Sequence, residues 1–139
     1  MQALNDTLPV LVDTSVWIAF LKNQESRETA LLADLMTEEN TVCTCPLIFQ
    51  QVLNGISDDK DYERIKKNLE TFDLLYAEPF TAAIEAANIY RVLRKNGVPM
   101  RKSNACLIAY YALFNNAYIL QQDRDFEHIA KYFPLKLLQ

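Results

Sequence analysis

An α/β fold, with a mostly parallel sheet of four or five strands flanked by helices on both faces, is predicted by two features of the chain. Short apolar runs alternate with helix-patterned segments along the whole sequence, and parallel strands need such crossovers. Half of the 139 residues are apolar, which suffices for a buried core and for one domain spanning residues 1–139.

Residues 8–12 read as the first strand, an apolar run that stops at Asp13. Residues 14–21 form a short helix, and residues 26–37 an amphipathic one with Ala30, Leu31, Leu32 and Leu35 on its apolar face. Residues 41–45 are the second strand. Pro46 then opens a helix through Leu47, Ile48, Val52 and Leu53 that stops at Gly55, since proline is pre-set for a first turn and glycine for a cap. Residues 58–72 make a further helix, with Tyr62, Ile65 and Leu69 on one face, before a short strand at 74–76. An alanine-rich helix over 81–95 ends at Asn96-Gly97, a left-handed cap. The helix over 103–114, capped by Ser103 or Asn104, is apolar almost all round and so belongs in the middle of the domain. A strand at 117–120, a helix at 126–132 and a strand at 135–138 complete the pattern.

Asp13 stands at the carboxyl end of a buried strand where a helix begins, the place at which α/β proteins carry their chemistry. Gln122-Asp123-Arg124-Asp125-Phe126 repeats the arrangement after another apolar run. Two strand ends can thus bring carboxylates together from opposite ends of the chain, and converging carboxylates point to a divalent metal.

Other classes are poorly supported. With only Gly55 and Gly97 there is no GxGxxG and no P-loop. A phosphatase-like use of Asp13 as nucleophile wants a second aspartate two residues on, and Ser15 is there. The apolar runs fall short of a bilayer span and no signal-peptide pattern is present, so the expected location is the cytoplasm, with no membrane partner. Three cysteines, Cys43, Cys45 and Cys106, then argue for packing rather than disulfides.

A net charge of −4 opposes nucleic-acid binding through the overall field, but not through local contacts. Arg91, Arg94, Lys95, Arg101 and Lys102 put five of the fourteen basic residues within twelve positions, just before the buried helix. His128, the only histidine, reads as a surface residue, Trp17 as a core or subunit contact, and one of Tyr110 and Tyr111 as facing the core.

Four blocks carry a family resemblance: Val10-Leu11-Val12-Asp13-Thr14-Ser15-Val16-Trp17-Ile18, Pro46-Leu47-Ile48-Phe49-Gln50-Gln51-Val52-Leu53-Asn54-Gly55, Arg101-Lys102-Ser103-Asn104-Ala105-Cys106-Leu107-Ile108-Ala109 and Asp123-Arg124-Asp125-Phe126. In this order and spacing the chain resembles PIN-domain ribonucleases, and more narrowly VapC-type toxins of bacterial toxin-antitoxin pairs. The resemblance implies a PIN-like fold and an endoribonuclease that uses Mg²⁺ or Mn²⁺. It also implies a structured RNA substrate such as tRNA, a VapB-type antitoxin as partner and a homodimer. The antitoxin's helix would lie in a groove between the helices at 26–37 and 58–72.

By the same resemblance, the catalytic positions are Asp13, Gln51, Ala105 and Asp123 or Asp125, with the metal held at Asp13, Asp123 and the position of Ala105. Asp123 follows its strand directly and is preferred over Asp125, which could equally cap the last helix. Thr14, Ser15, Arg101, Lys102 and Asn104 are the substrate-side residues. The family has glutamate where Gln51 stands and aspartate where Ala105 stands. An amide cannot serve as an ionised ligand and alanine supplies none, so cation binding should be weak and cleavage impaired. Two origins account for the neutral pair: an aspartate-to-alanine change introduced to spare a host, favoured for Ala105, and natural divergence, which suits Gln51. If both are natural, the alternative is a non-catalytic PIN-fold module that binds RNA or an antitoxin.

Overall fold

The computed structural model describes residues 9–138, so residue 8, the predicted start of the first strand, lies outside the described residues. In chain order the elements are β1 (Val10–Val12), α1 (Thr14–Leu21), α2 (Arg27–Leu35), β2 (Val42–Thr44), α3 (Pro46–Asn54) and α4 (Asp59–Leu69). They continue with β3 (Asp73–Leu74), α5 (Pro79–Lys95), α6 (Asn104–Phe114), β4 (Tyr118–Leu120), α7 (Arg124–Ala130) and β5 (Lys136–Leu137). The five strands pair in the order β3-β2-β1-β4-β5, every pair parallel. The predicted α/β class is the observed one.

The strand order decides where a site can form. From β1 the sheet grows one way through β2 and β3 and the other way through β4 and β5, so the crossovers diverge at β1 and β4 and leave a crevice beyond their carboxyl ends. Register pairs Val12 with Leu120, and the Asp13 N–H donates to the Leu120 carbonyl at 2.9 Å. The segments after the two strands are therefore neighbours, although more than a hundred residues separate them.

Central strands read as continuous apolar runs because both faces are covered. Val10, Leu11 and Val12 are wholly buried, as are Ile119 and Leu120. Helix α6 buries Ala105, Cys106, Ile108, Ala109, Tyr111 and Ala112, while Tyr110 stacks on Phe114 nearer the surface. Trp17 is buried, its ring centroid 6.4 Å from that of Phe20 and 5.5 Å from that of Phe72. All three cysteines are free and buried; burial pushes the Cys43 thiol up to about 12 and those of Cys45 and Cys106 to about 11.

Boundaries shift where capping chemistry outweighs hydrophobic pattern. Helix α5 starts two residues before the predicted 81, because the Glu78 carboxylate accepts from Phe80 N and Thr81 N and Pro79 fits the first turn. Helix α7 starts at Arg124 rather than 126, capped by Asp123. Helix α2 is closed at its start by a reciprocal Ser26–Thr29 capping pair, and Ala30, expected on its apolar face, is exposed. Ser103 precedes α6 but makes no side-chain capping bond. The predicted strand at 74–76 is observed one residue earlier, on an exposed edge, with Leu75 N still donating to the Thr44 carbonyl. No helix among the described residues is long and apolar enough to cross a membrane.

Candidate active site

Asp13 leaves β1 and caps α1. Its Oδ2 accepts from Ser15 N at 3.0 Å and from Ser15 Oγ at 2.6 Å, and Ser15 Oγ in turn accepts from Gln122 N at 3.1 Å. The carboxylate is thus oriented by its own helix and, through Ser15, by the segment after β4. It is 5% exposed. Burial raises its pKa; the Ser15 and Thr14 hydrogen bonds pull it back, and the nearby Asp123 charge adds a smaller upward push.

Gln51 lies on α3, half-buried, and its Oε1 accepts from Thr14 Oγ1 at 2.6 Å. A glutamate could accept the same bond, so the amide keeps the local structure and loses the charge. Ala105, in the first turn of α6 and 4% exposed, faces the same space with a methyl group. Asp13, Thr14, Ser15, Gln51, Asn104, Ala105 and Asp123, together with Lys102, line one cleft of about 350 Å³.

Asp123 and Asp125 part company. Asp123 caps α7, its Oδ1 accepting from Asp125 N at 3.0 Å, and it lines the cleft with Asp13. Asp125 is 1% exposed and points elsewhere: Oδ1 accepts from Arg101 N at 3.5 Å and Oδ2 from Lys102 N at 3.2 Å. It neither caps the helix nor lines the Asp13 cleft; it ties down the loop that enters α6.

A larger cavity of about 1060 Å³ adjoins the cleft and shares Ser15, Lys102 and Asp123 with it. Arg101 lines it, as do Arg27 and Arg124, with Glu28 and Glu127 among its acidic residues. The basic run singled out in the sequence divides: Arg91 lines a separate hollow on α5, and Arg94 lies over the Tyr90 ring at 5.5 Å. Only Arg101 and Lys102 reach the site. His128 is half-buried on α7 and lines neither cavity.

The residue pattern alone did not point to Asn54, Arg27 or Arg124. Asn54 follows Gln51 by three residues on the same helix, a spacing that shares a face and could have flagged it. Arg27 and Arg124 come from distant segments and carry no such signal.

An apolar hollow of about 410 Å³ lies between α1 and α4, walled by Trp17, Phe20, Leu21, Ile65 and Phe72. Helix α2 contributes only Met36 at its end, because Leu32 and Leu35 are spent on the core. The helices predicted at 26–37 and 58–72 do not by themselves wall this hollow, which lies chiefly between α1 and α4.

The donor set tests the expected cation. Among the described residues no three Asp, Glu, His or Cys side chains come together in a way that could hold a metal ion. In the cleft, Asp13 and Asp123 each have one oxygen engaged by a donor of the protein. Asp13 and Asp123 keep one oxygen each for a hard divalent ion, with water completing its shell, but the pair carries less ligand charge than a cluster of three or four carboxylates and would hold the ion weakly.

The family described as PIN domain matches residues 10–132. Ribonuclease VapC11 of Mycobacterium tuberculosis is 33% identical over 131 residues, covering 91% of this chain and 96% of that protein. Among solved structures, VapBC-1 from nontypeable Haemophilus influenzae superposes with a TM-score of 0.71 at 18% identity, covering 95% of this chain and 98% of that one. FitAcB from Neisseria gonorrhoeae does so with a TM-score of 0.66 at 17% identity, covering 94% and 96%.

Proposed function

The chain belongs to the PIN-domain family as a VapC-type ribonuclease homologue, and from that premise we propose that it is the toxin of a toxin-antitoxin pair, built to cleave structured RNA but impaired in cleavage. The observation that carries the impairment is the cleft itself, where, among the described residues, Asp13 and Asp123 are the only carboxylates beside Gln51 and Ala105. Restoring both acids would rebuild a four-carboxylate cluster, the kind of site that holds Mg²⁺ or Mn²⁺ and lets the ion lower the pKa of an attacking water.

A tRNA pool is the substrate to try. With Mg²⁺ or Mn²⁺, the chain as it stands should leave it intact, the Ala105→Asp variant should begin to cut, and Gln51→Glu/Ala105→Asp should cut faster. Cleavage by the unaltered chain at a rate matching the double variant would overturn the impairment. A second reading, a non-catalytic module for RNA or an antitoxin, draws on Ala105, which supplies no ligand at all. It wins if neither restored variant binds the ion or cleaves.

The partner reading is supported by the neighbours in fold, one of which is described as a toxin-antitoxin complex. Here the apolar hollow between α1 and α4 would receive the apolar face of a VapB-type helix. A homodimer and a cytoplasmic location belong to the same reading. Co-expression with a VapB-type antitoxin, followed by co-purification with the unaltered chain and with Phe20→Glu, tests the groove: equal recovery of the partner would reject it.

A further inference from the structure

The chain holds two Asn-Gly pairs, Asn54-Gly55 and Asn96-Gly97, each at the end of a helix. An asparagine before glycine is open to attack on its side-chain carbonyl by the next backbone nitrogen, because no side chain shields that nitrogen. The structure treats the two pairs differently. Asn96 Nδ2 donates to the Val92 carbonyl at 2.8 Å, Gly97 sits at φ 72°, and Val98 N closes the α5 end on the Leu93 carbonyl at 3.0 Å. Among the described residues no hydrogen bond holds the Asn54 amide, and α3 ends in two short turns, Gly55 N on the Val52 carbonyl at 3.1 Å and Ile56 N on the Leu53 carbonyl at 3.2 Å. Asn54 and Gly55 are both exposed, so water reaches them and the last turn can fray. Nor does the fold require glycine at 55: its φ is −83°, and the nearest contact of an added Cβ beyond the adjoining residues would be the Val52 carbonyl oxygen at 3.5 Å.

We propose that Asn54-Gly55 is a self-modification site: hydrolysis of the Asn54 amide puts a third carboxylate into the cleft and strengthens its hold on a divalent cation. Gly55 N gives up its bond to Val52, loses its proton and bonds to Asn54 Cγ. The Cγ–Nδ2 bond breaks, and Nδ2 leaves as ammonia with that proton. Water then opens the cyclic imide at one or other of its two bonds to Gly55 N, giving aspartate or isoaspartate. Both products carry a free carboxylate at position 54, and the net change is one water consumed and one ammonia released. Asn54 lines the cleft with Asp13 and Asp123, one helical turn on from Gln51, so the new charge arises beside two carboxylates that each keep one oxygen for an ion. Affinity for a hard cation rises with the charge of its ligands. The proposal rests on the reading of the cleft as a weak cation site and deepens it: the charge missing at 51 and 105 is regained, with time, at 54.

Intact-mass and peptide analysis of the full chain, incubated in mildly alkaline buffer both folded and in urea, reads the conversion, and titration with Mn²⁺ reads its consequence. In urea the two pairs should convert at similar rates. In the folded chain Asn54 should outpace Asn96 by about fivefold, what one more net hydrogen bond is worth. Gly55→Ala, for which the backbone has room, should nearly stop conversion at 54. The converted chain and Asn54→Asp should each bind Mn²⁺ about tenfold more tightly than the fresh chain. Conversion at 54 that is no faster than at 96 in the folded state overturns the proposal, and so does conversion that leaves Mn²⁺ affinity unchanged. Ala105→Asp separates the two readings. If it tightens Mn²⁺ binding while the converted chain and Asn54→Asp do not, the modification site falls and the cation reading stands; if none of the three does, both fall.

Discussion

Asp13 is held in the cleft at a cost to the fold. Its pKa is raised by burial above the ordinary value of 3.8, so between that pH and the raised value the folded chain binds more protons than the unfolded one. Stability therefore falls as pH climbs through that window. Asp13→Asn, which can still cap α1, should melt higher than wild type at neutral pH, with the advantage shrinking toward pH 3.8 and vanishing below it. Thermal melts across pH decide this; an equal or lower melting temperature at pH 7 would contradict it. Asp125 ties two segments together. Its buried carboxylate takes the Arg101 and Lys102 N–H groups, and Asp125→Ala should cost about 1.5–3 kcal/mol per lost charge-assisted bond at most and speed hydrogen exchange at those two amides. Unchanged exchange would mean that the loop is held by other contacts. Asp13 was legible because it directly follows an apolar run, and Asp123 because it stands three residues after the end of another. The role of Asp125 was not, since its partners are backbone groups more than twenty residues earlier in the chain.

Elements are stitched to the site by their caps. Ser26 Oγ accepts from Thr29 N at 3.1 Å and from Gln122 Nε2 at 2.7 Å, so the start of α2 is bound to the segment that also holds Ser15 and hence Asp13. Ser26→Ala should destabilise the chain by about 0.5–2 kcal/mol for the lost cap, read as a fall in the urea midpoint. Gln122→Ala keeps the cap and loses only the bridge, so a smaller shift is expected; a larger one would show that the bridge outweighs the cap. Element type followed from periodicity throughout, and the errors were at the ends. Helices α5 and α7 begin just after Glu78 and Asp123, whose carboxylates cap them, a choice made by local hydrogen bonding that a hydrophobic pattern does not register.

At the scale of the whole molecule, β1 is both the middle of the core and the support of the site. Leu11, wholly buried between the two helical layers, should lose about 2–5 kcal/mol on truncation to alanine, measured by urea unfolding, and a loss below 1 kcal/mol would show that the layers close over the gap. The alternation of apolar runs and helical segments by itself determined the α/β class, the parallel sheet, the burial of β1 and β4, and the placing of Asp13 and Asp123 at strand ends. These follow from periodicity and from the carboxylate after each run, both of which are local. The strand order decided the rest: by setting β4 beside β1, it brought Asp123, Ala105 and Gln51 round Asp13, divided the basic run, and joined Arg27 and Arg124 to Lys102. Contacts between segments distant in the chain depend on which strands pair, and no local pattern encodes that choice.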